Sequence, residues 1–323
     1  MGVSAPHDAK SVRIRLGGAC VDVATLSTVL ESTARRLRGG HPPLYLASAN
    51  LNHIRHYGFG TGRERVFEDH RTVDWLVLLD GMPLVWAARR LTGLPVPLLA
   101  GSDLLESMLL RAAEQRARIG VLGGTPSMHQ SFDARVSSEM PTLRVAGYWA
   151  PHRGELESPA GCRALADDVR DAGVDLLIVS LGKPRQEEFL LRYGTGTGAS
   201  VAVAFGAAAD FFAGTVRRAP SYIRGSGVEW LYRLALEPRR LARRYLLEGP
   251  LDTARLLLDS GLWLPTEVHA GFDSLDLVNV SLPRQRQPWP TELQPAEAAV
   301  SEQRSLLPLV ANGTRDLTDV VVR

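Results

Sequence analysis

Lysine is nearly missing from this chain of 323 residues: Lys10 and Lys183 are the two, and the other basic side chains are arginines and a few histidines. Cysteine is as scarce. Cys20 and Cys162 lack zinc-ligand spacing and are too few for a disulfide framework, so both are expected as core thiols in a reducing compartment. No stretch reaches the ~18 uninterrupted apolar residues of a spanning helix, and the first ten residues hold no apolar run of the kind a signal peptide carries. Any membrane contact is therefore expected to be peripheral and the location cytoplasmic. Net charge is small too, a formal +2, which argues against a dedicated nucleic-acid binder. There is no G-x-G-x-x-G after the first strand and no ribose-binding acid at the usual distance, which leaves a dinucleotide site without its fingerprint.

What is present is a soluble globular composition, 45% hydrophobic and 22% charged, long enough for one large α/β core or two modest domains. The chain turns on Asp175–Leu190. Five of the six residues from Leu176 to Leu181 are apolar and read as a strand buried on both faces, as in a parallel sheet. Gly182 ends it, Lys183-Pro184 turns the chain, and Gln186-Glu187-Glu188 opens a helix. An amide, carboxylates and a lysine thus gather at the carboxyl end of a central strand, where open α/β sheets bind ligands. On its own the same stretch also reads as a polar turn with a solvated helix start.

Similar strand ends recur. Leu44–Ala47 runs into Ser48-Ala49-Asn50, whose small polar groups suit a sugar or phosphate and serve equally as helix caps. Trp75–Leu79 stops at Asp80-Gly81; a carboxylate there is placed for general-base work, or is a turn aspartate. Ser102 is expected to cap the helix that follows it. Arg118–Leu122 leads to Gly123-Gly124-Thr125-Pro126, where bare glycines let backbone N–H groups approach a phosphate at a helix amino end. Val201–Phe205 leads to Gly206 and Asp210. Five or six apolar strands alternating with helices predict a mostly parallel sheet covered on both faces.

After Gly214 the character changes. From Arg217 to Arg244 there are eight arginines against two glutamates, with Trp230, Leu231, Tyr232 and Leu234 interleaved. Such a segment reads as a surface for an anionic membrane or ligand, or as a solvated helical hairpin. Beyond Pro265 no period is sustained, and that tail is expected to be disordered. The expected division is a flexible 1–11, a catalytic core 12–214, an Arg-rich helical appendage 215–264 and a tail 265–323.

These pieces resemble the WecG/TagA/CpsF glycosyltransferases (family 26). The resemblance lies in Ser48-Ala-Asn50, Asp80-Gly81, Gly101-Ser-Asp-Leu104, Leu122-Gly-Gly124, Leu181-Gly-Lys-Pro-Arg-Gln-Glu187, Gly206 through Asp210 and Arg218-Ala-Pro220. It ends with Glu229-Trp-Leu-Tyr-Arg233, Glu237-Pro-Arg-Arg240 and Arg243-Arg-Tyr245. It spans roughly residues 12 to 247. It implies a Rossmann-like α/β core with an Arg-rich helical appendage, and an inverting, metal-independent transfer without a bound cofactor. The donor it implies is a UDP-sugar of the N-acetylmannosamine type. The acceptor is a polyprenyl-diphosphate-linked sugar at the inner membrane face, in cell-surface polysaccharide synthesis. By position Asp80 is the implied base. Ser48, Asn50, Lys183 and Gln186 line the sugar and acceptor site, while Gly123, Gly124, Gly182, Gly206 and Asp210 form the nucleotide side. Arg233, Arg240 and Arg243 close over the leaving diphosphate.

The chemistry agrees with this. Inverting transfer needs one base behind the acceptor oxygen and positive charge on the departing UDP. With no D-x-D, arginine forks are the groups that supply that charge. One position departs from the family: Leu98 stands where an arginine is usual, with Arg89 and Arg90 nearby as substitutes. Donor and acceptor identity, a non-polymer acceptor and homo-oligomerisation stay open. A nucleotide-dependent oxidoreductase and a non-catalytic docking protein are the competing classes.

Overall fold

The computed structural model describes residues 12–68, 72–216, 220, 223, 229–236 and 238–259, without the side chains at 229, 233, 240, 244, 245 and 259. The expected flexible N-terminal stretch 1–11 and the tail 265–323 lie outside the described residues, as does most of 217–228.

β1 (Val12–Leu16) and β2 (Ala19–Val23) form an antiparallel hairpin. Its two-residue turn, Gly17-Gly18, has φ of 55° and 79°, the doubly left-handed geometry that a tight hairpin requires and glycine adopts freely. Next come α1 (Leu26–Leu37), β3 (Leu44–Ala49), α2 (Leu51–Tyr57), β4 (Asp74–Leu79), α3 (Met82–Thr92), α4 (Gly101–Glu114) and β5 (Arg118–Gly123). They are followed by α5 (Pro126–Glu139), β6 (Arg144–Trp149), α6 (Arg153–Glu157), α7 (Pro159–Asp171), β7 (Leu176–Ser180), α8 (Arg185–Tyr193), β8 (Val201–Ala204) and α9 (Ala208–Ala213).

The sheet has eight strands in the order β1-β2-β4-β3-β8-β7-β5-β6. All neighbours after the first pair run parallel. This is the expected α/β, Rossmann-like architecture, larger than the five or six strands anticipated because the β1–β2 hairpin extends one edge. Alternation along the strands divides the core into two layers. Leu46, Leu76, Leu78, Ile178 and Val203 pack under α1, α4, α5 and α9. Ala47, Val77, Leu79, Val179 and Ala204 pack under α2, α3, α7 and α8. Burial on both faces explains why these strands read as continuous apolar runs.

Ser102 is not the cap of α4. Ala100 holds that position and Gly101 begins the helix. Gly101 sits against Phe205, so near that a Cβ there would lie 2.7 Å from the Phe205 Cβ. This contact pulls the helix start toward the end of β8.

The appendage is helical: α10 (Glu229–Leu236), α11 (Pro238–Ala242), a π-helical turn (Arg243–Glu248) and α12 (Gly249–Asp259). α12 is part of the folded body. Leu256 is 1% exposed and belongs to the same apolar cluster as Ile54. Arg55 on α2 pairs with Glu248, and with Asp252 at 3.7 Å.

Candidate active site

The carboxyl ends of β4, β3, β8, β7 and β5 lie side by side along one edge of the sheet, and most of the residues singled out from the sequence fall there. Asp80 follows β4. Its backbone N–H donates to the Ala49 carbonyl at 2.7 Å, which ties it to the end of β3. Gly81 lies against Asn50, with room for a Cβ 3.5 Å from the Asn50 Cβ. Asn50 caps α2, its Oδ1 accepting from the Asn52 N–H at 3.1 Å. The cap role and a place on the site edge coexist in this one residue. Ser48 is nearly buried at 3% exposure, whereas Asn50 and Asp80 are half-buried.

On the other side of β8, Gly182 and Gly206 have φ of 74° and 61°, and the Ser180 hydroxyl donates to the Gly206 carbonyl at 3.1 Å. Gly123 and Gly124 turn with φ of 100° and 82°. The ring of His129 on α5 reaches back to the Gly123 carbonyl, Nε2 to O 2.7 Å. A carbonyl only accepts, so Nε2 carries the proton. A Cβ at Gly123 would stand 2.5 Å from the Ser180 carbonyl oxygen, which accounts for glycine at that point. Asp210 lies in the first turn of the short α9, half-buried, and its carbonyl accepts from the Thr215 N–H at 3.1 Å.

Between these halves lies a buried polar cluster. The Lys183 side chain, 7% exposed, extends from the β7–α8 turn across the end of β8. Its Nζ donates to the Ser48 carbonyl at 2.6 Å, pairs with Glu187 Oε1, and stands 3.5 Å from His53 Nδ1 on α2. Gln186 Nε2 donates to the same Glu187 oxygen at 3.1 Å and to the Ala204 carbonyl at 2.9 Å. Gln186, Glu187 and His53 are all 0% exposed. Burial, followed by the nearby Lys183 and His56 charges, holds the His53 imidazole well below its usual pKa. Neutral His53, with Nδ1 facing an ammonium that can only donate, therefore carries its proton on Nε2. Glu188 is on the helix surface and binds Arg63 at 2.6 Å.

Lys183 and Gln186 are thus packed behind the edge that Asn50 and Asp80 present. His53 and His129 join the arrangement without belonging to the expected site, whereas Glu187 was among the carboxylates expected at this strand end and is found pairing with Lys183. The Lys183/Glu187 spacing of four on a helix start was a usable signal; nothing local marked the histidines. Leu98 packs partly buried on the core, and Arg89 Nε is engaged by the Val96 carbonyl at 2.9 Å, while Arg90 is exposed. Arg243 is exposed and binds Glu248 at 3.1 Å, the same carboxylate that holds Arg55. The side chains of Arg233 and Arg240 lie outside the described residues.

The arrangement offers half-buried carboxylates beyond the strand ends, Asp80 after β4 and Asp210 after β8, with glycine turns between and beside them. Comparison with known proteins specifies it further. The sequence model of the family described as "Glycosyl transferase WecG/TagA/CpsF family" matches residues 14–262. An N-acetylglucosaminyldiphosphoundecaprenol N-acetyl-beta-D-mannosaminyltransferase of Bacillus subtilis (strain 168) is 29% identical over 185 residues, 57% of this chain and 70% of the relative. The protein of the same name from Bacillus spizizenii is 33% identical over 168 residues, 52% of this chain and 63% of that relative.

Proposed function

The chain belongs to the WecG/TagA/CpsF glycosyltransferase family, and from that premise we propose that it moves an N-acetylmannosamine-type sugar from a UDP-sugar to a polyprenyl-diphosphate-linked sugar. As a member of this family it is a glycosyltransferase, and the oxidoreductase and docking-only alternatives fall away. The sugar and acceptor classes rest on the names of the two relatives.

The observation that carries the mechanism is the junction of Asp80 with the Ser48-Ala49-Asn50 strand end. In the proposed step the acceptor hydroxyl lies over Asn50 and faces the Asp80 carboxylate. Its oxygen attacks the anomeric carbon, the bond from that carbon to the UDP oxygen breaks, and the electron pair leaves with UDP. The hydroxyl proton passes to Asp80. A single displacement inverts the anomeric centre. Backbone N–H groups at the Gly123-Gly124, Gly182 and Gly206 turns are suited to the nucleotide side, with Asp210 beside them. Arg233, Arg240 and Arg243 are the cations proposed to take up the charge on the departing diphosphate without a metal.

A lipid-linked acceptor calls for contact with a bilayer surface. No helix among the described residues is long and apolar enough to cross a membrane. Leu246, Leu247, Leu251, Leu257 and Leu258 are 51–71% exposed on the π-helical turn and α12, next to the arginine-rich segment. Apolar side chains of this kind beside basic ones support peripheral binding to an anionic membrane.

A donor screen tests the reading, with released UDP as the readout and polyprenyl-diphosphate-linked sugars as acceptors. Release is expected only when donor and lipid acceptor are both present, and UDP alone should bind in a titration. Binding of NAD(P) but not UDP, or no release with any donor, overturns it.

A further inference from the structure

We propose that Lys183 is a positioning residue: with Glu187 and His53 it fixes the end of β3, and through it the base, rather than touching substrate. The proposal rests on the transfer mechanism above for its consequence, but its geometry stands apart from it.

The ammonium of Lys183 has three N–H donors and meets three acceptors: the Ser48 carbonyl at 2.6 Å, Glu187 Oε1, and His53 Nδ1 at 3.5 Å. Its donors are directed at protein acceptors, and its side chain is 7% exposed. Those acceptors come from β3, α8 and α2. Gln186, on the same Glu187 oxygen, adds the Ala204 carbonyl at the end of β8. Lys183, Glu187 and Gln186 together therefore join the carboxyl ends of three adjacent parallel strands, the lysine bonding β3 and Gln186 bonding β8. The next residue along β3, Ala49, accepts the Asp80 N–H at 2.7 Å, and the one after it is Asn50. A shift of Ser48 moves the backbone on which both Asp80 and Asn50 are hung.

The choice of residue fits this role. The chain uses arginine almost everywhere, yet has lysine here. Three acceptors converging on a point suit a compact ammonium, whereas a planar guanidinium is longer and spreads its donors over a fork. Neutral His53 completes the set by offering Nδ1 as an acceptor.

The test uses the full chain and a variant without either buried charge, Lys183→Met with Glu187→Leu, so that no unpaired ion is left inside. Backbone amide exchange is read segment by segment, with turnover and UDP binding alongside. Expected are exchange at least ~10-fold faster at residues 48–52 and 80–82 with β5 and β6 unchanged, kcat down ~100-fold as for a small misplacement of a reacting group, and UDP affinity within ~3-fold. Lys183→Arg is expected not to restore kcat. Should the double variant fail to fold, Glu187→Gln, which keeps the Ser48 contact but weakens the lysine's anchor, is read the same way and is expected to show the same faster exchange.

Unchanged exchange at 48–52 and 80–82 overturns the proposal, as does turnover that falls only with the folded fraction or full rescue by arginine. A large loss of UDP affinity with unchanged exchange would show that Lys183 contacts ligand instead. If no donor supports turnover at all, the transfer reading has failed, and the exchange measurement still decides what Lys183 holds.

Discussion

The backbone at Asp80 is anchored: its N–H bond to Ala49 and the contact of Gly81 with Asn50 hold the aspartate at the end of β3. Asp80→Asn keeps the shape and both backbone contacts but removes the basic oxygen. It is expected to fold, to bind UDP as the parent does, and to lose at least ~100-fold in turnover, the scale of a general base. Near-normal turnover in the lipid-acceptor assay would remove Asp80 from the mechanism. His53 yields a second expectation at this scale. The folded protein holds it neutral below its usual pKa, while the unfolded chain protonates it below about pH 6.5. The unfolded state then binds more protons, so stability is full above that pH and falls as pH drops through it, by up to about 1.4 kcal/mol per pH unit for one such group. His56, also lowered by burial and by Lys183, acts in the same direction. Urea midpoints between pH 7 and 5.5 measure this. His53→Gln, which keeps an acceptor near Lys183, should flatten the slope, and an unaltered slope would rule His53 out as its source.

At the scale of elements, the hairpin shows how little main-chain pairing can join an edge to a sheet. β2 meets β4 in register only at Asp22 and Leu78. Asp22, 1% exposed, does the rest: it accepts from Arg13 at 2.9 and 3.2 Å and from the Val77 N–H at 2.7 Å, while Arg13 donates onward to the Trp75 carbonyl at 2.7 Å. Pairing with Asp22 raises the Arg13 guanidinium pKa further, against the opposing effect of its own burial. Asp22→Ala strands a half-buried arginine and a buried N–H, and should lower the unfolding free energy by about 3 kcal/mol. A loss under ~1 kcal/mol in urea titrations would mean the hairpin is held by packing alone. This edge also marks the limit of what the sequence made legible. Runs such as Leu176–Leu181 announce buried parallel strands because both faces are apolar, and glycine or aspartate at their ends announces the site edge. Attachment of the hairpin depends on Asp22 meeting Val77, 55 residues away, and the start of α4 depends on Gly101 meeting Phe205. Neither leaves a local periodicity. Asn50 and Asp80 were legible for the same reason as the strands. His53 was not, because the ammonium it faces lies 130 residues away in the chain, whereas Glu187 stands only four residues from Lys183.

For the whole molecule the question is which part of the C-terminal segment belongs to the fold and which part is left for the proposed membrane contact. The sequence suggested a core complete by Gly214. Instead Leu256 fills the space beside Ile54 and Gly17, and Glu248 and Asp252 hold Arg55. A chain ending at Gly214 uncovers Ile54 and deprives Arg55 of both carboxylates, so it should be less stable than one ending at Pro265 by roughly 3 kcal/mol, mainly the lost leucine burial. Loss of transfer in the shorter chain would then mix two causes. The exposed face of α12 separates them. Leu251, Leu257 and Leu258 are 64%, 51% and 71% exposed while Leu256 between them is buried, so the helix has one side for the protein and another turned outward. Replacing those three with serine removes little buried area and should leave the melting temperature and UDP affinity close to the parent values. It should greatly reduce sedimentation with anionic liposomes and lower transfer to a lipid-linked acceptor in vesicles, with less effect on a short-chain acceptor in solution. Leu256→Ala is expected to do the opposite: a cost of about 2–3 kcal/mol in stability, with liposome binding per folded molecule retained. Should the triple variant sediment with the liposomes and transfer as well as the parent, α12 serves the fold alone and is not the proposed bilayer contact.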